Sequence, residues 1–342
     1  MRKLIAAVNG ALAPLNIAVT RRTTLDNTRA QLLAAQSQLE SVRAEVAASS
    51  DELAQLRQLV IDRPSKTDGE ALSIGIAPLR RDLDSLRLEL LRFQIANRWS
   101  VIDAMERART GTPAYRTCQL CNFVGASAAF KCIESNCIFG GGVLFRHQCP
   151  SCDVIFGADK MFDLSAGELS QDYEWHYKVY EEGDSTEAEL RAFHSLNPSR
   201  NGIYVNYGAG SWSRTVPILR EQGWNVLAYE PHASAASAAD WLISNEQQMQ
   251  GRNFDGIFSN NVLEHFRHPI NELRKMKTWM KPGARMAHAT PCFEYLYEYT
   301  RFHLFFFPGR SRKVLAERSE LSISQFEVDG EFMNCVFSTT LG

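Results

Sequence analysis

Between Ile203 and Glu230 the chain runs through an apolar stretch, a glycine turn, a helical segment and a second apolar stretch that closes on an acid. The residues read Ile203-Tyr204-Val205-Asn206-Tyr207-Gly208-Ala209-Gly210-Ser211-Trp212-Ser213 and, past Gly223, Trp224-Asn225-Val226-Leu227-Ala228-Tyr229-Glu230-Pro231. Strand, turn, helix and strand in this order make a βαβ unit. Glycines at the first turn let backbone come close to a ligand, and an acid about twenty residues further on can bind ribose hydroxyls, so the unit reads as half of a nucleotide-binding fold.

Further strands are expected near 203–206, 225–229, 254–259 and 284–289, alternating with helices near 213–222, 233–240 and 269–280. Two last strand-like runs, Ile323–Val328 and Phe332–Thr339, flank a turn at Asp329-Gly330, which suits an antiparallel edge on an otherwise parallel sheet. This α/β domain is expected to span 165–342.

Ahead of it lies a compact cysteine module at 115–157. The chain has eight cysteines, six of them between Cys118 and Cys152. Such clustering suits a metal site in a reducing compartment better than dispersed disulfides. Cys118-x-x-Cys121 and Cys149-x-x-Cys152 form two knuckles, and two knuckles make a tetrahedral site of four thiolates, closed and therefore structural, with zinc as the expected metal. Cys132 and Cys137 are expected to stay peripheral or free. Gly140-Gly141-Gly142 lacks a following Lys-Ser/Thr and is not a phosphate loop.

The segment 25–107 reads as helical and coiled-coil-like with a break at 62–78. Leu25, Thr28, Leu32, Ala35, Leu39, Val42, Val46, Ser49, Leu53, Leu56 and Val60 recur at alternating spacings of three and four, the a/d pattern of a coiled coil about 54 Å long. A helix with one apolar stripe must bury it, so self-association is expected, with a hairpin folded on itself as the alternative. Pro64, Asp68-Gly69, Gly75 and Pro78 mark the break. A second seam runs Leu79, Leu83, Leu86, Leu90, Phe93, Asn97.

Residues 1–22 are amphipathic: an apolar run from Leu4 to Val19, interrupted by Asn9, Gly10, Pro14 and Asn16, flanked by Arg2, Lys3, Arg21 and Arg22. This is too broken to span a bilayer. It suits an anchor on an anionic membrane surface or a terminal helix packed on a partner. A secretory signal ending near Ala11-Leu12-Ala13 fits poorly with a reducing-compartment metal module. The net charge of −2 over 342 residues argues against a nucleic-acid binder that works by bulk charge.

Phe254-Asp255-Gly256-Ile257-Phe258-Ser259-Asn260-Asn261-Val262-Leu263-Glu264-His265-Phe266, the Lys281-Pro282-Gly283 turn and Glu230 closing the second strand together resemble the class I S-adenosylmethionine-dependent methyltransferases, over roughly 165–342. The cysteine module running into Cys149-Pro150-Ser151-Cys152-Asp153-Val154-Ile155-Phe156 resembles the zinc-binding lead-in of a subgroup that includes sugar methyltransferases of antibiotic and surface-polysaccharide pathways. The resemblance implies a Rossmann-like sheet with an antiparallel C-terminal hairpin. It also implies S-adenosylmethionine as cofactor, held by Asn206, Gly208, Gly210, Glu230, Asn260 and Asn261, and Zn2+ on Cys118, Cys121, Cys149 and Cys152. Asn206 stands where the family usually has Asp, and Trp212 where a third glycine is common. Ser244, Asn245 and Glu246 are the nearest candidates for holding the adenine.

Methyl transfer to a hydroxyl needs an aligned acceptor and a proton acceptor at neutral pH, for which histidine is suited. The run from Thr290 to Phe307, dense in Tyr and acids, falls where the family carries acceptor residues. His303 matches a family histidine ahead of an aromatic run and is the expected general base; Tyr299 and His265 are the further catalytic candidates. In ubiquinone-pathway relatives a pair like Glu264-His265 helps hold magnesium, but the further acid used there is Asn261 here, so loop fixing is the expected role. His288 is expected to be structural. Arg301 and Arg310 are candidates for a phosphate or sugar carboxylate.

The expected function is methylation, at oxygen rather than carbon, of a sugar in bacterial surface polysaccharide (O-antigen or capsule) synthesis. The protein would be cytoplasmic, or peripheral to the inner membrane, oligomerised by the coiled coil and spaced from membrane-bound assembly proteins. Alternatives are a sugar C-methyltransferase, a degenerate methyltransferase-fold scaffold, and a nicotinamide-dependent enzyme on the same sheet.

Overall fold

The computed structural model describes residues 66–108, 113–180, 183–210, 214–231 and 239–339, with scattered helical positions between 37 and 58. Two compact units emerge. One comprises Met1–Gly111, Phe139–Gly142 and Ser170–Tyr180; the other comprises Thr112–Ile138, Val143–Leu169 and Glu181–Gly342.

In the first unit the described residues centre on helix α1, Lys66–Ala108. The expected break at 62–78 is corrected over its described part, because the helix runs through Asp68-Gly69, Gly75 and Pro78. Proline removes one backbone donor and crowds the preceding turn, which kinks a long helix without necessarily ending it. The second seam also changes. Leu83 is buried, but Leu86 and Phe93 are exposed, and the buried positions further on are Ile95, Trp99 and Asp103, spaced by four. The Trp99 indole donates to Asp172 at 3.2 Å, and Phe139, His176 and Tyr180 stack within 5.0 Å of one another. The seam over 25–60 and the amphipathic segment 1–22 lie outside the described residues, apart from the few helical positions. Among the described residues no helix is long and apolar enough to cross a membrane.

The second unit is built on a seven-stranded mixed sheet. Its strands are β6 (Ile203–Tyr207), β7 (Asn225–Tyr229), β8 (Leu242–Ile243), β9 (Phe254–Asn260), β10 (Met280–Ala289), β12 (Leu321–Asp329) and β13 (Phe332–Thr339), in the order β12-β13-β10-β9-β6-β7-β8. Strands β6 to β10 are parallel, and β13 runs antiparallel beside β10. The chain leaves β6 toward β7 and β8, then returns to place β9 on the other flank. The order therefore reverses between β6 and β9, and a crevice opens at their carboxyl ends, where ligands of open α/β sheets bind. The expected strands and terminal hairpin are present. Lys281-Pro282-Gly283, expected as a turn ahead of a strand, is a bulge inside β10, with Gly283 at φ 77° where pairing with β9 shifts between Met280 and Arg285. The helix expected at 233–240 falls mostly outside the described residues.

Helices α2 (Asp159–Phe162) and α3 (Ala166–Val179) come before α4 (Thr186–Ser195) in the chain, and α4 covers one face of the sheet. Its Ala192 and Phe193, with Leu196, pack on Tyr204, Val226, Phe258, Ala287 and Val336, all buried. Helices α5 (Thr215–Glu221) and α6 (Pro269–Thr278) are the crossovers after β6 and β9.

The cysteine module spans β1 (Tyr115–Thr117), β2 (Val124–Ala126), β3 (Lys131–Asn136), β4 (Val143–Gln148) and β5 (Ile155–Gly157). Its boundary at 157 is not a boundary of the fold. A two-residue strand, β11 (Phe305–Phe306), pairs antiparallel with β5 and completes the sheet β11-β5-β4-β3. The loop following β10 is thus tied into the module.

Candidate active site

The candidate cofactor half is the turn after β6. Gly208 and Gly210 take φ of 72° and 64°, the left-handed region that glycine occupies without strain. A Cβ on Gly208 would lie 2.7 Å from Val262 Cγ2, so the loops after β6 and β9 touch here and need the glycine. Glu230, at the end of β7, accepts the Gly210 N–H at 2.9 Å, while the Gly208 and Ala209 amides donate to the Tyr229 carbonyl. The carboxylate thus shapes the turn, and ionised it retains lone pairs for two ribose hydroxyls. Asn260 ends β9, half-buried; Asn261 follows, exposed, at φ 54°, its N–H donating to Ala289 at 2.9 Å. Ser211 to Ser213, Trp212 among them, lie outside the described residues.

Asn206, expected to line the cofactor, lies in the buried run of β6. It is 1% exposed, and its amide donates to the Glu189 carboxylate at 2.5 Å. Glu189, buried on α4, also accepts the Ser185 hydroxyl at 2.6 Å. The negative charge that an Asp would carry at position 206 is therefore supplied from α4. Of the adenine candidates, Asn245 caps a 3₁₀ turn by accepting the Gln247 amide, and Glu246 is paired with Lys275 at 3.0 Å.

The candidate acceptor half gathers at the ends of β9 and β10. The His303 imidazole lies between Cys292 and Glu264: Nδ1 is 3.3 Å from Cys292 Sγ, and Nε2 is 4.0 Å from Glu264 Oε1. The fully buried Glu264 accepts the Thr290 hydroxyl at 2.7 Å, and Thr290 Oγ1 accepts the Cys292 amide. Burial holds the His303 pKa well below its usual value, with the neighbouring His265 and Arg146 adding to the effect. Its ring is therefore neutral at pH 7. Burial likewise pushes the Cys292 thiol well up. His265 faces His303 at 5.0 Å between ring centroids, with its Nδ1 3.1 Å from the Phe302 carbonyl; burial brings its pKa down to about 4. With Leu304 N–H donating to the Glu264 carbonyl at 2.9 Å, the turn Leu263–His265 grips the 302–304 backbone. His265 thus positions the loop. Tyr299 is half-buried beside Tyr297 and its carbonyl accepts the Ile138 amide.

Three sequence expectations outside this cluster resolve clearly. His288 is fully buried, 2.7 Å from the Ser259 hydroxyl, as a structural residue should be. Arg310 is not offered to a ligand: it forks onto Asp153 at 2.8 and 2.9 Å and holds that carboxyl down, to about 2. Arg301 is fully buried against Phe302 and Cys137.

The four knuckle sulfurs gather within 4.8 Å of one another, with Cys118–Cys152 at 3.6 Å and Cys121–Cys149 at 3.7 Å. Bonds of about 2.3 Å to a tetrahedral zinc would set its thiolates about 3.8 Å apart, and a disulfide would need about 2.05 Å. The two knuckles are built alike. Cys118 N–H donates to Phe123 O and Cys149 N–H to Val154 O, and the residue after each pair, Asn122 or Asp153, sits at φ 62° or 69°. Asn and Asp tolerate that region best among non-glycine residues. The Cys152 thiol stabilises the Cys118 thiolate, bringing its pKa down to about 5, while burial lifts Cys149 to about 11 and the bond to Cys118 raises Cys152 further. Without a cation the Cys118 thiolate is favoured at the expense of Cys149 and Cys152; a divalent cation would favour thiolates throughout, so this donor set fits one. Cys132 and Cys137 take no part in the cluster.

Residues 177–323 match the family model described as a methyltransferase domain. With the sheet order and the crevice above, the chain carries a methyltransferase domain and is an S-adenosylmethionine-dependent methyltransferase of general kind. Among solved structures, a Burkholderia thailandensis 1,6-didemethyltoxoflavin-N1-methyltransferase, bound to that compound and S-adenosylhomocysteine, is similar at 16% identity, covering 58% of this chain and 96% of its own, with a TM-score of 0.43. A Mesorhizobium loti S-adenosylmethionine-dependent methyltransferase is similar at 15% identity, covering 44% and 97%, with a TM-score of 0.33. An O-methyltransferase family protein from Burkholderia thailandensis is similar at 9% identity, covering 56% and 66%, with a TM-score of 0.35. No curated protein matches the chain in sequence.

Arg146 and Glu189 were not among the sequence-derived site residues, and Thr290 and Cys292 entered only as members of the Thr290–Phe307 run.

Proposed function

We propose that this methyltransferase acts on a hydroxyl of a sugar, with His303 as the proton acceptor. The observation that carries the reading is the neutral His303 imidazole set beside the buried Glu264 carboxylate, at the strand ends whose β9 loop abuts the Gly208 turn. When bound, the cofactor supplies an electrophilic methyl group on a sulfonium. Gly208 and Gly210 would let the backbone pass close to its methionine part, and Glu230 would accept hydrogen bonds from its ribose hydroxyls. His303 takes the acceptor's proton, and Glu264 stabilises the imidazolium that results. Glu294, Tyr295, Tyr297, Glu298 and Tyr299 give the loop stacking and hydrogen-bonding groups suited to a sugar.

Zinc on Cys118, Cys121, Cys149 and Cys152 is part of the same reading, as a structural ion, and so is self-association through the helical region around 25–107. The surface-polysaccharide setting and any contact with membrane-bound assembly proteins rest on the resemblance of the cysteine lead-in. Glu189 weakens the scaffold alternative, since it restores a charge at the position where Asn206 had suggested degeneration. Incubating the protein with labelled cofactor and a panel of nucleotide sugars and polysaccharide fragments tests the proposal. Label should appear as an alkali-stable sugar methyl ether with wild type and drop at least about a hundredfold with His303→Gln. Equal incorporation by the variant would remove His303 from the chemistry.

A further inference from the structure

Arg146, on β4 of the cysteine module, is fully buried and spends all five of its N–H donors on the loop that carries His303 or on a residue tied to that loop. Nε donates to the His303 carbonyl at 3.3 Å; Nη2 donates to Thr300 O at 2.7 Å and to His303 O at 3.2 Å. Nη1 donates to Glu298 O at 2.7 Å and to the Ser135 hydroxyl at 2.9 Å, and Ser135 in turn donates to Glu298 O. The guanidinium also lies over the Phe306 ring at 5.0 Å. Around it the module adds two backbone bonds to the same segment, Ile138 N–H to Tyr299 O and Gly157 N–H to Leu304 O.

A loop carries few internal bonds of its own, so its carbonyls need partners when buried. A planar fork of fixed geometry is the side chain suited to hold three carbonyls in one arrangement. We propose that Arg146 is the positioning residue for His303: the cysteine module exists in this chain to hold the acceptor loop, while the Gly208–Glu230 half of the site is built without it. The inference rests on the reading of His303 as proton acceptor.

The full chain is compared as wild type, Arg146→Gln, Arg146→Lys and Ser135→Ala. Three quantities are measured: hydrogen exchange over 298–306 and over 203–210, affinity for S-adenosylhomocysteine, and NMR titration of the His303 ring. Arg146→Gln should speed exchange over 298–306 at least about tenfold, leave 203–210 and the affinity within about twofold, and shift His303 toward its unperturbed value as the loop opens. Arg146→Lys, which keeps the charge and some of the donors, should recover part of both effects. Unchanged exchange over 298–306, or equal acceleration over 203–210, would overturn the proposal. If Arg146→Gln does not fold, Ser135→Ala decides, since it removes a single partner: faster exchange confined to 298–306 supports the clamp, and none refutes it. Failure of wild type to bind S-adenosylhomocysteine would strike the methyltransferase reading and leave the exchange result standing.

Discussion

Replacing Glu230 should weaken cofactor binding by an amount that can be worked from its contacts. The carboxylate accepts the Gly210 N–H at 2.9 Å and, in the bound state, would accept ribose hydroxyls as well. A hydrogen bond to a charged group contributes about 1.5–3 kcal/mol. Glu230→Ala removes the ribose bonds and frees the glycine turn, which must then be ordered on binding. Loss of one to two such bonds gives about 1.5–6 kcal/mol, or at least about tenfold in affinity for S-adenosylhomocysteine. Glu230→Gln keeps one neutral acceptor and presents a donor where the second oxygen stood, so roughly 1.5 kcal/mol, about tenfold, is expected. Isothermal titration at neutral pH, with folding checked by circular dichroism, reads both. An Ala variant binding within twofold of wild type would mean that Glu230 does not hold the ribose.

Three further outcomes are expected. His288 is buried with its pKa down to about 4, against about 6.5 unfolded; between those pH values the unfolded chain binds a proton that the folded one refuses, so stability falls as pH drops, by about 1.4 kcal/mol per unit and about 3 kcal/mol in all. Urea unfolding at pH 7 and pH 5 should show a smaller loss for His288→Gln, and an equal loss would refute the assignment. Elemental analysis should find one zinc per chain, and Cys149→Ser should lose it with a drop in melting temperature; retained metal and unchanged melting would refute the four-sulfur site. Asn206→Asp should set a second carboxylate against Glu189 and cost roughly 3 kcal/mol at pH 7, while adding Glu189→Gln should recover most of it; denaturant midpoints of the single and double variants measure the recovery, and additive losses would count against the pairing.

The sheet was legible where apolar runs were punctuated by glycine, which is why β6, β7, β9 and the terminal hairpin fell where expected. Strand β8 escaped notice because two residues, Leu242 and Ile243, make no pattern. The helix across Gly75 and Pro78 was misread because local breakers weigh against helix without forbidding it when the flanking turns propagate. The four knuckle cysteines and His303 carried their signal in spacing and context. Glu189 beneath Asn206, Cys292 beside His303 and Arg146 on three loop carbonyls are contacts between residues 11 to 157 apart in sequence, and nothing local announces them. The left-handed Asn122 and Asp153 were readable, since each follows a Cys-x-x-Cys pair with a residue suited to that turn.

The two-residue pairing of Phe305–Phe306 with β5 limits how the gene could be trimmed. A fragment beginning after Gly157 would keep every strand of the large sheet, yet it would present Phe305, Phe306 and Phe307, all buried in the intact chain, on a strand without a neighbour. Such an edge invites self-adhesion. A search for the shortest soluble active fragment should therefore start ahead of Tyr115, and homologues lacking the cysteine lead-in should be found to cover this strand by some other means.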